Sequence, residues 1–398
     1  MSTVLVTFIG KGNYQCCKYV YRDSVCETHL FGFALASFFT AEISKVVVFH
    51  TEESKEAKRE NDDKTYIEQL KELHLENDLP EPEAVLIKSG KSEDELWEIF
   101  DTLSSVFDED DEIIFDITHA FRSIPILSLL VIALLRETKN VKLKGIFYGA
   151  FEAKDENGNT PIFDLSPFVE LLDWISAAKQ FNTTGNAALL VELLKIKDKN
   201  LATDIENLSR SLRLLRPVDV MELSGRVSKK ITNEKSLQHV KSKPIFQLLE
   251  SIDESYSRFS LSNPKENKEK FIKKLFEMAK WYFDKGQYVQ SIAVIRELMP
   301  TVVCYKMELD FFKHRGNREK AEGYLNQHDE DKNKILFDRS ENDLLIKMKE
   351  LWKEITGIRN DVLHAGFNEN SAEANTLVKK NCEFLKKTEE IIETLSLR

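Results

Sequence analysis

Glu112-Ile113-Ile114-Phe115-Asp116-Ile117 runs into Thr118-His119-Ala120-Phe121-Arg122-Ser123, and then into Ile124-Pro125-Ile126-Leu127-Ser128-Leu129-Leu130-Val131-Ile132. The first six residues are a short run, mostly apolar and β-branched, of strand length. From residue 124 to 136 the chain reads as an apolar helix, and residues 141–148 read as a further strand. Apolar runs of strand length alternating with helix-length segments predict parallel strands joined by helical crossovers.

The same alternation extends to either side of this stretch. Val4 to Ile9 is an apolar run followed by Gly10-Lys11-Gly12-Asn13-Tyr14, and Val46-Val47-Val48-Phe49 has the look of a buried strand. Residues 30–41, 53–75 and 93–107 read as helices, the last opened by a cap at Ser92. Residues 84–88 are strand-like. Asp155-Glu156-Asn157-Gly158-Asn159 reads as a hairpin tip between short strands at 151–153 and 161–163. The predicted fold is therefore α/β and Rossmann-like over residues 1–170, with a mostly parallel sheet covered on both faces. Past Pro167 strand signals nearly vanish. Helices are predicted at 168–180, 187–194, 200–214, 218–230, 244–259, 268–285, 288–312, 341–365 and 372–395. Ser262-Asn263-Pro264 marks a boundary, giving a helical linker region over 171–263 and a terminal helical domain over 264–398. Residues 315–338 read as a loop or a short helix.

Composition bounds the function. Of 398 residues, 31% are charged and 42% hydrophobic, which fits a folded globular chain. A net charge of −11 argues against general adhesion to a nucleic-acid backbone but leaves room for a local basic pocket. The longest nearly apolar run, 124–135, is too short to span a bilayer as a helix, so no membrane partner is expected. The N-terminus lacks the basic start of a signal peptide. Five cysteines without a Cys-x-x-Cys pair suggest neither a disulfide framework nor a zinc site, which makes a reducing cytoplasm the expected compartment.

Two constellations carry chemistry. The first is Arg359-Asn360-Asp361-Val362-Leu363-His364-Ala365-Gly366. On a helix Asn360 and His364 share a face, while Arg359 and His364 converge only near a helix end. Gly366 is a fitting terminator, and the carbonyl end of a helix favours a protonated imidazole. These side chains suit RNA cleavage. RNA brings its own nucleophile, the 2′-hydroxyl; a histidine can move the proton and an arginine can hold the phosphate. No metal is required. The plain alternative is a chance spacing on a surface helix.

The second constellation comprises the two loops that follow strand-like runs, where α/β sheets bind ligands. Gly10, Lys11, Gly12, Asn13 and Tyr14 offer close backbone approach, amides and a cation. Thr118, His119, Phe121, Arg122 and Ser123 offer hydroxyls, an imidazole, a guanidinium and helix-start amides. Here the plain alternative is a capped helix start with Arg122 paired to Asp116.

The string Arg359-Asn360, three residues, His364-Ala365-Gly366, in the penultimate helix of an all-helical terminal domain, resembles the HEPN ribonuclease signature. The helix of residues 287–297 is similar to a HEPN core helix, with Arg296 or Glu297 as candidates to face the site. Asp116-Ile117-Thr118-His119-Ala120-Phe121-Arg122-Ser123 resembles the signature of CRISPR-associated Rossmann-fold (CARF) domains, with Ala120 where a glycine is common. Phe181-Asn182-Thr183-Thr184-Gly185-Asn186 is similar to the entry of the helical part in CARF–HEPN proteins.

The resemblance implies a type III CRISPR accessory ribonuclease. Two protomers would share one HEPN site, so the expected partner is a second copy, with assembly beyond the dimer left open. Cyclic oligoadenylate, tetra-adenylate ahead of hexa-adenylate, would bind the ten loop residues as allosteric activator, with no other cofactor. Single-stranded RNA would be cut by Arg359, Asn360 and His364 to leave 2′,3′-cyclic phosphate and 5′-hydroxyl ends. Two alternatives stay open: a binding regulator without nuclease activity, and a CARF domain that degrades its activator through His119 and Thr118.

Overall fold

The computed structural model describes residues 2–120, 123–233, 243–326, 342–363, 366–367 and 371–395. They fall into two compact units, Met1–Leu172 and Asp173–Arg398.

The first unit is an α/β domain. Its strands are β1 (Thr3–Ile9), β2 (Cys17–Tyr21), β3 (Ser24–Thr28), β4 (Lys45–His50), β5 (Pro82–Leu86), β6 (Glu112–Asp116), β7 (Lys142–Gly149) and β8 (Asn159–Asp164). Its helices are α1 (Phe31–Phe38), α2 (Glu52–Lys55), α3 (Tyr66–Glu76), α4 (Glu93–Ser105) and α5 (Ile124–Thr138), and α6 (Ser166–Thr184) leads onward. The sheet order is β3-β2-β8-β7-β6-β1-β4-β5. The block from β7 to β5 is parallel, as is the β2–β8 pair; β2–β3 and β7–β8 are antiparallel.

Period-two patterning explains why β1 is central. All seven of its residues are buried. Leu5 and Ile9 join Val46, Val48, Ile114 and Phe147 under α1 and α3. Val4, Val6 and Phe8 join Val47, Phe49, Ile113 and Phe115 under α4 and α5. A strand apolar on both faces is stable only with helices on both sides. Each fully buried Val, Leu, Ile or Phe contributes roughly 1.5–3 kcal/mol, so the core fixes this register: a one-residue slip would exchange the two faces. Gly32 lets α1 sit directly on β1, since a Cβ there would lie 2.6 Å from the Thr7 hydroxyl.

Four details differ from expectation. The β2–β3 hairpin is not visible in the sequence, because its turn carries Arg22 at φ +55° in place of a glycine or asparagine. The predicted helix over 53–75 is two helices, since Thr51 and Thr65 each open a capping box. Residues 151–153 form a 3₁₀ turn rather than a strand: the Ala153 amide closes on the Ala150 carbonyl, and β8 pairs with β7 itself. The helix predicted over 288–312 ends at Lys306, where Glu308 turns to φ +54°.

The second unit is helical throughout its described residues: α7 (Ala188–Lys197), α8 (Lys199–Arg213), α9 (Pro217–Thr232), α10 (Lys243–Tyr256), α11 (Lys268–Asp284), α12 (Tyr288–Lys306), α13 (Glu319–Asn326), α14 (Asn342–Leu363) and α15 (Ala374–Thr394). Trp281 and Tyr282 of α11 join its two halves. The Tyr282 hydroxyl donates to the Leu212 carbonyl at 2.6 Å, and Trp281 packs on Tyr256 and Phe259. Within residues 315–338, a π-helical turn at His314–Arg318 precedes α13, and residues 327–338 lie outside the described part.

Candidate functional site

The chain runs from β1 outward to β4 and β5, then returns to β6 and β7 on the other side of β1. The carboxyl ends of β1 and β6 are therefore the point where strand order reverses, the place where open α/β sheets leave a crevice. Both loops singled out from the sequence start there.

Burial and hydrogen bonding hold them together. Asp116 ends β6 fully buried; its carboxylate accepts from the Thr7 hydroxyl at 2.5 Å and the Thr118 amide at 2.7 Å. Burial pushes its pKa up to about 6 against the opposing pull of those hydrogen bonds. The Thr118 hydroxyl accepts from the Gly149 amide at 2.8 Å, tying the loop to β7. Next to it, the rings of His119, Tyr14 and Tyr66 form a stack, with Tyr14 in the middle, 3.9 Å from His119 and 4.4 Å from Tyr66. The Tyr14 hydroxyl accepts from the Gly10 amide at 2.7 Å. The Tyr66 hydroxyl accepts from the Tyr14 amide at 3.1 Å and donates to the Gly12 carbonyl at 3.0 Å. A Cβ on Gly10 would come within 3.2 Å of the His119 carbonyl, so a larger residue would press the two loops slightly apart.

The stack borders a cavity of about 220 Å³. Of the predicted residues, Asn13, Tyr14, Thr118 and His119 line it. His119 is held neutral: burial lowers its pKa to about 4, helped by nearby His29, and its Nε2 is buried with no hydrogen-bond partner among the described residues. Gly10, Lys11 and Gly12 stand outside the lining. The Gly10 amide is already bound by Tyr14, and the Lys11 ammonium pairs with Glu53, which also holds Lys91 at 2.8 Å. Ser123 begins α5 without a side-chain capping bond. Phe121 and Arg122 lie outside the described residues.

Sequence reading missed Gln15, Tyr19, His29, Tyr148, Phe151 and Glu152, which complete the lining. Gln15 directly follows Tyr14, and the others come from β2, the residue after β3, and the end of β7 with the turn behind it. Only the tertiary fold brings those parts beside the two loops.

The second candidate site is the end of α14. Arg359 donates from Nη1 to Asn360 Oδ1 at 3.2 Å. Asp361 is buried and its carboxylate accepts the Ala372 amide at 3.0 Å, while its carbonyl accepts the Gly366 amide at 3.0 Å. Gly366 sits at φ +71°, the left-handed conformation that ends helices. His364 lies outside the described residues. Arg296 and Glu297 serve packing. Arg296 lies 4.8 Å over the Trp352 ring and pairs with Glu322 at 3.3 Å, and Glu297 pairs with buried Arg318 at 2.6 Å. The cluster joins α12, α13 and α14.

The model for the CARF domain of the CRISPR system endoribonuclease Csx1 matches residues 4–152. That for the second domain of the CRISPR-associated protein MJ1674 matches residues 170–268. The CRISPR-associated protein MJ1674 of Methanocaldococcus jannaschii is 31% identical over 299 residues, covering 73% of this chain and 43% of that protein. The chain thus spans less than half the length of this relative. Among solved structures, Enterococcus italicus Csm6 bound to cyclic hexa-2′-fluoro-hexa-dAMP aligns at TM-score 0.47 and 12% identity, over 98% of this chain and 94% of that one. No described helix is long and apolar enough to cross a membrane.

Proposed function

We propose that this chain, whose residues 4–152 match a CARF-domain family, is a CRISPR-associated, cyclic-oligoadenylate-activated ribonuclease whose HEPN-type site is completed by a second copy of itself. The observation that carries the proposal is the end of α14. Arg359 and Asn360 are hydrogen-bonded side by side, and the helix is stopped immediately afterwards by Asp361 and Gly366. A fixed helix end gives these two groups a defined direction.

In the proposed reaction the RNA 2′-hydroxyl gives up its proton to a histidine and attacks the adjacent phosphorus. The bond to the 5′-oxygen breaks, that oxygen takes a proton, and a 2′,3′-cyclic phosphate and a 5′-hydroxyl remain. Arg359 stabilises the added negative charge, and Asn360 orients it. One chain offers a single Arg359–His364 set, so a two-histidine site needs the dimer. An apolar row on α5 supports self-association through the first unit: Ile126, Leu130 and Leu134 are 65%, 53% and 42% exposed at four-residue spacing, just after the candidate ligand loop. Residues 264–398 form the nuclease part in this reading, and 171–263 link it to the sensor.

The cavity at the β1 and β6 ends is the proposed activator site. A neutral, stacked His119 and a Thr118 hydroxyl tied to Gly149 support binding over cleavage of the activator, because an imidazole with a pKa near 4 is a poor proton donor at neutral pH.

The test is cleavage of labelled RNA in EDTA, with and without cyclic tetra- or hexa-adenylate. Activation by one of the rings is expected, with loss of cleavage in Arg359→Ala and His364→Ala. Full activity in both variants would remove the assignment, and binding of the rings without any cleavage would favour the regulator.

A further inference from the structure

We propose that the cavity at the sheet end takes an adenine base rather than a phosphate, and that the Glu152 carboxylate selects that base by accepting a hydrogen bond from its exocyclic amine. The inference rests on the reading of this cavity as the cyclic-oligoadenylate site and adds what it recognises.

Charge decides which part of a nucleotide enters. The lining has three ionisable side chains besides its tyrosines: His29, His119 and Glu152. Burial lowers the pKa of both histidines, to about 4 for His119, so both are neutral at pH 7. Glu152 then carries the cavity's formal charge, and among the described residues no cation pairs with it. The Tyr148 hydroxyl donates to it at 3.1 Å, and nearby Lys154 lies over the Phe151 ring at 3.8 Å. Counted over the described lining residues, the charge is −1, which disfavours phosphate and favours a neutral ligand that donates hydrogen bonds.

Shape points the same way. About 220 Å³ is below the roughly 300–1,000 Å³ of pockets that enclose a whole ligand, and so suits one ring system. Tyr19, His119, Tyr148 and Phe151 line it with aromatic rings, a setting in which bases stack. Adenine presents an amino group on its edge, a donor for a carboxylate with a lone pair to spare. The Tyr148 bond uses one oxygen of Glu152 and holds the other for the ligand. The phosphates are left to the Lys11 side, outside the lining.

The test is calorimetric titration of the full-length protein with cyclic tetra- and hexa-adenylate, and with the same rings built from purine lacking the 6-amino group. A hydrogen bond to a charged group predicts that wild-type protein binds the adenine ring at least about tenfold tighter than the purine ring. Glu152→Ala should reduce that preference to within about twofold while still binding the purine ring, and Glu152→Gln should restore part of it through its amide oxygen. Glu152 is exposed on a 3₁₀ turn, so the variants should melt with wild-type protein. An undiminished preference in Glu152→Ala overturns this inference alone. Failure of wild-type protein to bind either adenine ring overturns the sensor reading and this inference with it.

Discussion

The two candidate sites are built on opposite principles. At the sheet end, the groups that anchor the loops are paired within the chain, Asp116 by Thr7 and Thr118, Gly10 by Tyr14, and Gly12 by Tyr66, while His119 Nε2 is buried with no partner among the described residues. At the end of α14 the backbone is just as fixed, by Asp361 and Gly366, but Arg359 is hydrogen-bonded to Asn360 and, among the described residues, pairs with no carboxylate. The first arrangement is a pair of loops anchored by their own side chains. The second is rigid but chemically open, as expected of half a site whose other charges come from a second copy.

The comparison breaks most visibly if the helix end is not catalytic. Arg359→Ala should lower RNA cleavage by roughly 100- to 1,000-fold, the cost of losing one charge-stabilising donor, with melting temperature and activator affinity unchanged. His364→Ala should lose about as much. A stopped assay with labelled RNA reads both. The converse variant, Asn13→Ala at the sheet end, should weaken activator binding and leave the cleavage rate at saturating activator near wild type. If Arg359→Ala also abolished activator binding, the two sites would not be separable in this way.

Titration probes the sheet end, where two ionisable side chains are shifted in opposite directions by burial. His119 has a folded pKa of about 4, below its ordinary value near 6.5. Between those values the unfolded chain binds the extra proton, so this histidine's contribution to stability rises with pH through that window and is complete above it. Asp116 does the reverse. Its folded pKa of about 6 lies above the ordinary 3.8, so its contribution falls as pH rises from 4 to 6. The two oppose each other in the wild-type protein. In His119→Gln only the aspartate remains, and the stability gap between wild type and variant should widen by roughly 3 kcal/mol from pH 4 to 6.5. Denaturant melts at several pH values measure it, and a gap constant with pH would mean that His119 is not held neutral by burial.

A smaller effect probes the ring stack. Tyr14→Phe keeps the stacking on His119 and Tyr66 but leaves the buried Gly10 amide without its acceptor, which should cost roughly 1–3 kcal/mol in a thermal melt. The stack also marks how far the sequence could be read. Alternating apolar runs made the parallel sheet and its two central loops legible, and the α14 motif is contiguous, so it could be seen whole. Asn13, Tyr14, Thr118 and His119 were found because each follows a strand directly. Tyr66 was hidden inside what reads as one long polar helix, until the Thr65 capping box restarts it. Phe151 and Glu152 were hidden because residues 151–153 alternate like a strand but close into a turn. A contact between Tyr14 and Tyr66, fifty-two residues apart, has no local signal.

The weakest expected effect lies at the one part of the sheet end that is not yet in place for a ligand. Lys11 is paired with Glu53, and both lysine partners hold that carboxylate's pKa down, to about 2. The pair is exposed, so Glu53→Gln should leave the melting temperature within about 2 °C of wild type. Ligand binding should respond differently. A phosphate approaching Lys11 must displace the carboxylate, and Glu53→Gln removes both the competitor and a negative charge beside the loop. Cyclic oligoadenylate should bind about two- to fivefold tighter at low salt, with the gain shrinking as salt screens the interaction. Because Glu53 stays ionised down to a pH near 2, the gain should not change between pH 5 and 8. Equal affinity for wild type and variant at low salt would place the phosphates away from Lys11, and would make the sheet end a receptor for the base alone.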